Sequence, residues 1–308
     1  MKRLFYCDHH EIPLPPGHRF PVRKYRLIRD LLTADGCFDF REAPLADPGV
    51  IAAAHDPDYV TQFLEGSLPP SSVRRIGFPW SEGLVRRTLA SVGGTLAATR
   101  EAFEHGWGGT LAGGTHHAFY GEGSGYCVFN DFAIAIVSLR AAGLIRKAAI
   151  IDLDVHQGDG TAQMFEGDPN VLTFSMHGAK NFPFRKQRSR IDVELADGTA
   201  DAEYLDTLAL WLPRIFEFAP DVVFFQSGVD ALAEDTLGRL ALTHDGLRRR
   251  DELVLGACRT YGAPVVLTLG GGYASPIELT ANAHANTFRT AAALWEIAES
   301  ARQFARKS

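Results

Sequence analysis

Residues 148–160 read Ala-Ala-Ile-Ile-Asp-Leu-Asp-Val-His-Gln-Gly-Asp-Gly, an apolar run that gives way to acidic residues and a histidine. Such a run is typical of a central strand in a parallel sheet that helices cover on both faces. Short apolar runs that favour strands recur at Leu4 to Cys7, Thr110 to Ala112, Ala148 to Leu153, Val171 to Phe174, Val222 to Gln226 and Val265 to Leu269. Helical patterns alternate with these runs, so the sequence predicts an α/β fold with three layers, α/β/α, around a central parallel β-sheet.

The helical candidates lie between these runs and after the last of them. They are Val22 to Leu32, Glu82 to Glu104 with Ser81 as N-cap, Asp131 to Ala142, Asp201 to Phe218, Asp245 to Tyr261, and Pro276 to about Ala305. We expect Pro213 to kink or split the fourth of these helices, and residues 65–80 to form a surface loop. No linker or repeat divides the chain, so one domain over residues 1–308 is predicted.

Composition and charge exclude several classes of protein. The 308-residue chain is 46% hydrophobic and 22% charged, as globular proteins are. Its 31 basic and 37 acidic residues give a formal charge of -6, so we expect no nucleic-acid partner. The four cysteines are far apart, and no apolar stretch is long enough to span a bilayer. These features predict a cytoplasmic protein without a membrane partner and leave the oligomeric state unknown.

Polar side chains directly follow the ends of several predicted strands. The segments are Gly113-Gly114-Thr115-His116-His117, Asp152-Leu153-Asp154-Val155-His156-Gln157-Gly158-Asp159, Ser227-Gly228-Val229-Asp230 and Gly270-Gly271-Gly272-Tyr273. Ligand sites of open parallel sheets lie beyond the carboxyl ends of the strands. If these strands are neighbours in the sheet, we expect the segments to converge on one site.

Two carboxylates and one imidazole in these segments form a candidate metal site. Asp154 and His156 are two residues apart, so both side chains leave the same face of an extended segment, and Asp230 supplies a third ligand from another strand end. Such a set, with coordination positions left open, suits Zn2+ or Fe2+ with bound water. The alternative is that the Asp-x-Asp-x-His stretch merely caps the strand and the next helix.

The adjacent residues His116 and His117 are candidates for a general base beside a metal-bound water. The carboxylates of Asp152 and Asp159 can each hold one imidazole by its far nitrogen, which fixes the tautomer and raises basicity. Tyr273 follows three glycines, and its phenol can donate a hydrogen bond to a developing oxyanion. The histidines could equally be metal ligands or ordinary loop residues, and Tyr273 an ordinary buried tyrosine.

From Tyr6 to about Tyr273 the chain resembles the histone deacetylase family. The motifs that carry the resemblance occur in the family's order: Gly-Thr-His116-His117, Gly125-Tyr126-Cys-Val-Phe-Asn130-Asp131, Ile-Asp152-Leu-Asp154-Val-His156-Gln-Gly-Asp159-Gly, Ser-Gly-Val-Asp230 and Leu-Gly-Gly-Gly-Tyr273. The resemblance implies the arginase-deacetylase fold. It also implies a zinc-dependent hydrolase that removes an acetyl or longer fatty acyl group from the ε-amine of lysine by means of metal-activated water.

The resemblance further implies a role for each matching residue. The implied zinc ligands, with Fe2+ as an alternative ion in the cell, are Asp154, His156 and Asp230. The implied catalytic groups are the tandem histidines His116 and His117, their partners Asp152 and Asp159, and the carbonyl-polarising Tyr273. The implied walls of an acyl-lysine tunnel are Gly125, Tyr126, Phe182 and Gly271. A structural or activating K+ would be held by main-chain oxygens around Asp152, Asp154, His156 and Ser175.

Two departures from the family's usual motifs concern the substrate. Gln157 stands where most members have a second histidine, and Val229 where alanine is usual. Together with Leu237-Gly-Arg-Leu240 and Arg250-Asp-Glu-Leu253, Gln157 is similar to the class IV branch, which includes deacylases that prefer long fatty acyl groups. The partner implied is an acyl-lysine protein or peptide. Because acetylpolyamine amidohydrolases share the same core, an acylated small amine is the alternative.

Two further functions stay open. The Asp-x-Asp-x-His-x-x-Asp string superficially resembles the metal loop of binuclear manganese ureohydrolases on the same fold. A metal count separates the two: about one ion per chain for a deacylase and about two for a ureohydrolase. The alternative outside enzymes is a protein that binds acyl-lysine without cleaving it, which binding without turnover by the metal-loaded protein would support.

Overall fold

The computed structural model describes the backbone of residues 1–305 and the side chains of residues 1–296. Within these residues the strands are β1 (Lys2–Tyr6), β2 (Phe38–Glu42), β3 (Trp107–Thr110), β4 (Ala148–Asp152), β5 (Val171–Gly178), β6 (Ile191–Leu195), β7 (Val222–Gln226) and β8 (Val265–Thr268). The helices are α1 (Arg23–Ala34), α2 (Pro48–Ala52), α3 (Pro57–Glu65), α4 (Pro70–Ile76), α5 (Glu82–His105), α6 (Asp131–Ala141), α7 (Asp159–Met164), α8 (Asp201–Glu217), α9 (His244–Tyr261) and α10 (Ile277–Ala305).

The eight strands of the described residues form one sheet in the order β2-β1-β3-β8-β7-β4-β5-β6, and every pair of neighbours is parallel. Helices pack on both faces, which confirms the predicted α/β/α fold. The strands that lead into the polar segments, β3, β8, β7 and β4, are adjacent in this order. Because parallel strands end at the same edge of a sheet, the polar segments meet there.

Strand β7 illustrates how the two faces of the sheet are filled. Val223 and Phe225 belong to the larger apolar cluster, with residues of α8, α9 and α10, whereas Val222 and Phe224 belong to a second cluster, with residues of α5 and α6. All of these side chains are fully buried, and each contributes about 1.5–3 kcal/mol relative to an exposed position. Burial on both faces explains why this central strand lacks a polar alternation.

Strand β3 begins earlier than the apolar run that predicts it, at Trp107 instead of Thr110. Its middle residues, Gly108 and Gly109, are poor strand formers, so the apolar pattern places the strand too late in the chain. The packing requires Gly108, because a Cβ on this residue would overlap the carbonyl oxygen of Ala98 in α5. The bare backbone of β3 thus packs directly against α5.

The apolar pattern also misses the edge strands β2 and β6 and the short helix α4. In β6, half-buried residues alternate with exposed ones from Ile191 to Glu194, so the strand has no continuous apolar run. Within residues 65–80, predicted to be a loop, α4 forms between Pro69 and Gly77. Proline in the first turn of a helix costs no hydrogen bond, since the first N–H groups have no partner inside the helix.

Helix α8 runs without a break through Pro213, so the predicted split at this residue is wrong. Proline removes the hydrogen bond that would reach the carbonyl of Ala209. Both residues are exposed, and water can bind the freed carbonyl. On the adjacent face of the helix, buried Leu208 and Leu212 hold it against the core.

The other predicted helices agree with the structure to within a few residues. Ser81 caps α5, as predicted, because its hydroxyl accepts a hydrogen bond from the N–H of Leu84 at 3.0 Å. In the part of the chain that the structure describes, no helix combines the length and apolarity that a membrane span requires. One domain over residues 1–308 stays a prediction, since residues 306–308 lie outside the described part.

Candidate active site

The segments that follow β3, β4, β7 and β8 surround a narrow cavity of about 110 Å³. The predicted site residues that line it are His116, His117, Gly125, Tyr126, Asp154, His156, Gly271 and Tyr273. Behind this lining, each within hydrogen-bond distance of a histidine, lie Asp152, Asp159 and Asp230. Phe182 stands at the wider outer mouth. The structure therefore brings all of the predicted site residues to one place.

Asp154, His156 and Asp230 form a cluster whose potential ligand atoms lie within 4.8 Å of one another. His156 Nδ1 lies 3.0 Å from Asp154 Oδ1 and 3.1 Å from Asp230 Oδ2. The backbone fixes both carboxylates: the N–H of Gly271 donates to Asp154 Oδ2 at 2.7 Å, and the N–H of Val155 donates to Asp230 Oδ1 at 2.8 Å. Each carboxylate thus keeps one oxygen directed at the imidazole nitrogen.

This cluster holds more negative charge than a buried site tolerates on its own. Burial and the neighbouring carboxylate of Asp154 raise the pKa of Asp230 to about 7. Burial by itself lowers the pKa of His156, but the hydrogen bonds with Asp154 and Asp230 outweigh it and raise this pKa to about 10. The cluster therefore favours a positive charge between the two carboxylates, and a divalent cation with oxygen and nitrogen ligands can supply it.

Gly271 lets the backbone approach this cluster closely. A Cβ at this position would overlap Asp230 Oδ2 and lie 2.7 Å from Asp154 Oδ2. Any side chain would therefore push apart the two carboxylates that face His156. Of the three glycines before Tyr273, Gly271 is therefore required because a side chain there would not fit beside the two carboxylates.

The two adjacent histidines are each held by a different aspartate. His116 Nδ1 lies 2.7 Å from Asp152 Oδ2, and His117 Nδ1 lies 2.6 Å from Asp159 Oδ1. The centroids of the two imidazole rings are 4.0 Å apart. Because Nδ1 of each ring faces a carboxylate, Nε2 is the nitrogen that remains for the cavity, which both rings line.

The surroundings give the two histidines opposite protonation states at neutral pH. Burial lowers the pKa of His116, but the carboxylates of Asp152 and Asp154 outweigh this effect and raise the pKa to about 9. Burial and the positive charge of His116 lower the pKa of His117 to about 4, although Asp159 opposes them. His117 is therefore neutral and can accept a proton, while His116 stays protonated.

Tyr273 is half-buried in the cavity wall, and the loop after β7 fixes its backbone. Its N–H donates to Asp235 Oδ2 at 2.6 Å, and its carbonyl oxygen accepts from the hydroxyl of Thr236 at 2.8 Å. Burial raises the pKa of the phenol well above its ordinary value, and neighbouring negative groups add to the effect. The phenol therefore stays protonated and can donate a hydrogen bond into the cavity.

Aromatic rings narrow the way to the candidate metal ligands Asp154, His156 and Asp230. The ring centroid of Phe182 lies 5.0 Å from that of His117, and the centroid of Tyr126 lies 6.4 Å from that of Tyr273. Tyr126 has a φ of 66°, a backbone conformation that residues other than glycine rarely adopt. Its N–H donates a hydrogen bond to the carbonyl oxygen of Ile76 at 2.8 Å. Such unusual backbone conformations cluster at ligand sites.

Three residues that position the site were not assigned a role from the sequence. Asp131 accepts hydrogen bonds from the N–H groups of the two residues before the histidine pair, Gly114 and Thr115. Asp235 accepts a hydrogen bond from the N–H of Tyr273, but no local sequence pattern indicates this role of Asp235. The buried ammonium of Lys24 donates to the carbonyl oxygen of Gly270 at 2.9 Å. Lys24 lies four and eight residues before the buried Ile28 and Leu32, a spacing that marks it as part of a buried helix face.

Comparisons with known proteins agree on one family. A family model described as "Histone deacetylase domain" matches residues 18–290. An uncharacterized protein of Picosynechococcus sp. is 47% identical over 292 residues, which cover 94% of this chain and 97% of that protein. Histone deacetylase 2 of Arabidopsis thaliana is 37% identical over 186 residues, which cover 59% of this chain and 48% of the plant protein. Histone deacetylase 6 of the same plant is 30% identical over 290 residues, which cover 83% of this chain and 59% of that protein.

One solved structure shows the same architecture. The crystal structure of the HDA15 HD domain matches with a TM-score of 0.77 and covers 96% of this chain and 90% of that chain. The two sequences are 21% identical, so this likeness concerns the fold alone. It agrees with the predicted arginase-deacetylase fold.

Proposed function

Because this chain belongs to the histone deacetylase family of hydrolases, we propose that it cleaves the amide bond between an acyl group and the ε-amine of lysine. One observation carries the proposal. The buried cluster of Asp154, His156 and Asp230 shares a narrow cavity with a neutral histidine, a charged histidine and a protonated phenol. Such groups suit hydrolysis of an amide by activated water.

The cluster fits one zinc ion. Two carboxylates and one imidazole would leave coordination positions for water and for the acyl oxygen, as catalytic zinc sites do. Fe2+ accepts the same ligand set and is the alternative in the cell. When bound, the ion would polarise the acyl carbonyl and lower the pKa of a water molecule.

In the proposed reaction, Nε2 of the neutral His117 accepts a proton from the attacking water, and the carboxylate of Asp159 stabilises the imidazolium that forms. His117 then delivers this proton to the lysine nitrogen as the amide bond breaks, so the amine leaves in its neutral form. His116 keeps its own proton and contributes positive charge near the developing oxyanion. The phenol of Tyr273 donates a hydrogen bond to that oxyanion.

We further propose a structural K+ held by main-chain oxygens around Asp152, Asp154, His156 and Ser175. Asp152 and Ser175 are paired residues of β4 and β5, so their backbones lie side by side. Both residues and Asp154 are buried, and carbonyl oxygens are ligands that hard cations prefer. These observations support a cation site close to the proposed zinc ligands.

The lining of the cavity supports an acyl group longer than acetyl. Its apolar part includes Ile12, Phe20, Phe78, Leu84, Val92, Val128 and Phe129. Each methylene group buried against such a lining contributes about 0.8 kcal/mol. This preference agrees with membership of the class IV branch, which we propose on the basis of Gln157 and the motifs at residues 237–240 and 250–253.

Turnover of matched lysine peptides that carry acetyl, octanoyl or myristoyl groups tests the proposed function on zinc-loaded protein, with N-acetylputrescine alongside. We expect cleavage of the peptides, with a longer acyl group favoured over acetyl. Cleavage of N-acetylputrescine alone would indicate a polyamine amidohydrolase instead. Binding of the peptides without cleavage would overturn the hydrolase proposal in favour of an acyl-lysine binding protein.

Metal content separates the proposed deacylase from a binuclear ureohydrolase. We expect about one transition-metal ion per chain, whereas about two manganese ions would indicate the ureohydrolase. Among the described residues, the other group that could hold a metal ion is Glu101, Glu104 and His105 at the end of α5.

For the location of the protein in the cell, we propose the cytoplasm, since Cys7, Cys37, Cys127 and Cys258 are all free.

A further inference from the structure

The mouth of the cavity is ringed by basic side chains. Those that line it are Arg19, Arg74, Arg75, Lys180 and Arg239, and none of the described aspartates and glutamates lines it with them. The chain as a whole carries a formal charge of -6. Positive charge is therefore concentrated at the opening that leads to His117, His156 and Tyr273. We call these five basic residues the rim.

Carboxylates near the mouth offset part of this charge. Arg75 pairs with Glu122, while Asp197 lies 3.5 Å from Lys180 and 3.3 Å from Arg239. All of these side chains are at least partly exposed, so water screens the pairs. Two carboxylates thus face three of the five rim residues, and the rim keeps a net positive charge.

The remaining two rim residues are free. The side chains of Arg19 and Arg74 are exposed and have no ion-pair or hydrogen-bond partner in the part of the chain that the structure describes. Asp235 lies near Tyr273, but its oxygens already accept hydrogen bonds from backbone N–H groups. Two guanidinium groups therefore remain available to an anionic group that enters the mouth.

We propose that the rim selects acyl-lysine peptides in which acidic residues flank the acylated lysine. This inference rests on the proposed deacylase function and names its substrate class. The inner cavity is lined by His117, His156 and Tyr273, where the acyl group would react, whereas the outer mouth, at about 560 Å³, is where the neighbours of the lysine in a peptide would lie. Carboxylates of these neighbours would pair with Arg19 and Arg74. The same charges repel the free ammonium of an acetylpolyamine and the lysines of a basic tail.

Exposed phenylalanines support a peptide as the occupant of the mouth. Phe182 is 36% exposed and Phe184 is 89% exposed, and both line the mouth together with the rim. Large apolar side chains exposed beside charged ones are typical of surfaces that bind a protein or peptide. A small acylated amine that enters the cavity would leave the outer ring, Phe184, uncovered.

We test this inference with three peptides that share the same acyl-lysine. They differ in the two residues that flank it, which are both glutamate, both glutamine or both lysine. An exposed ion pair changes affinity by about two- to fivefold, so we expect kcat/KM for the glutamate peptide to exceed that for the lysine peptide about tenfold at low salt. The ratio should shrink as salt screens the charges. Equal kcat/KM values, or a preference for the lysine peptide, would overturn the inference.

Substitution of the two free arginines tests where the preference arises. In the double variant Arg19→Gln/Arg74→Gln, kcat/KM for the glutamate peptide should fall about three- to tenfold, and its ratio to kcat/KM for the glutamine peptide should fall towards one. Arg100→Gln is the matched control, because Arg100 is an exposed arginine of α5 that does not line the mouth. A double variant that keeps the full preference would overturn the assignment to Arg19 and Arg74.

Fluorescence anisotropy of the same peptides separates this inference from the proposed function. Tighter binding of the glutamate peptide without turnover would keep the rim assignment and overturn the deacylase. Turnover of all three peptides at one rate, with equal affinities, would support the deacylase function and overturn the rim assignment. If no peptide is cleaved and all three bind equally, both the deacylase function and the rim assignment would be overturned. A single-stranded oligonucleotide can also be used to displace the bound glutamate peptide. If the oligonucleotide binds as tightly as a peptide of the same charge, the rim is a general anion-binding surface and the peptide assignment is overturned.

Discussion

Tyr273 differs from phenylalanine by one hydroxyl, which has no hydrogen-bond partner among the described residues. In Tyr273→Phe we expect kcat to fall about 100- to 1,000-fold with little change in KM, because a donor to the oxyanion is lost. The thermal unfolding temperature should stay near the wild-type value, since the ring is retained. Tyr261→Phe, which removes a 56% exposed phenol in α9, is the control. Wild-type turnover in Tyr273→Phe would contradict the proposed role.

The protonation of His116 predicts the alkaline side of the pH profile. Burial lowers the pKa of His116, but Asp152 and Asp154 raise it to about 9, so the positive charge is present below this pH and is lost as the pH rises through it. In Asp152→Asn the carboxylate becomes a neutral amide. We therefore expect the alkaline fall of kcat/KM to move to lower pH by about one unit or more. A profile from about pH 5 to pH 10 measures this; an unchanged alkaline fall would show that another group titrates there.

At the residue scale, the sequence is enough to name the atoms of the candidate site but not their charges. The spacing of Asp154 and His156 indicates that both side chains leave one face, and the structure places their ligand atoms together. The protonation of His116 and His117 depends instead on burial and on carboxylates from other segments. The sequence names Asp152 and Asp159 as partners of the pair, but it does not show how deeply each ring is buried or that Asp154 also faces His116, and so the two histidines cannot be told apart before the fold is known.

At the scale of elements, Gln157 ties the strand end that carries Asp154 and His156 to the β5–β6 loop, residues 179–190. Its amide nitrogen donates to the carbonyl oxygen of Gln187 and to Asp192 Oδ1, both at 2.8 Å, and its amide oxygen accepts from the N–H of Gln187 at 2.8 Å. The side chain is buried. This loop also carries Phe182, so Gln157 connects the candidate metal ligands to the wall of the cavity.

Gln157→Ala should loosen that loop. The buried amide of Gln157 makes three hydrogen bonds, to half-buried Gln187 and exposed Asp192, and because each contributes about 0.5–1.5 kcal/mol we expect the free energy of unfolding to fall by about 1–3 kcal/mol. Because we expect this variant to displace Phe182 more than the candidate metal ligands, KM for an acyl-lysine peptide should rise more than kcat falls. Urea unfolding and steady-state kinetics measure the two effects, with Gln163→Ala, an exposed glutamine of α7, as control. A stability and KM equal to those of the control would contradict this role.

The elements themselves follow from the sequence wherever the buried residues form a continuous apolar run. Strands β4 and β7 are buried at every position and are read directly from their apolar runs. The predictions are less accurate at β3, where glycines allow close packing against α5, and at the edge strands β2 and β6, where solvent-facing residues interrupt the pattern. These errors lie beside the site rather than in it, because the polar segments still follow the strand ends.

At the scale of the whole molecule, the order of the strands decides that a site exists. Strands β3, β8, β7 and β4 are neighbours although they are far apart in the sequence. The sequence indicates which strand ends are polar, but only long-range pairing makes them neighbours. The rim arises in the same way: Arg19 precedes α1, Arg74 lies in α4, Lys180 follows β5 and Arg239 follows β7. No local charge pattern could predict it in a chain with a formal charge of -6.

The central claim is that one metal ion, held by Asp154, His156 and Asp230, makes this molecule a lysine deacylase. The most direct test is a zinc titration of the metal-free protein during turnover of an acyl-lysine peptide. We expect activity to rise with added zinc and to level off at about one ion per chain, while Asp230→Asn stays inactive over the same range. Full activity of the metal-free protein, or a rise that continues to about two ions per chain, would contradict the claim.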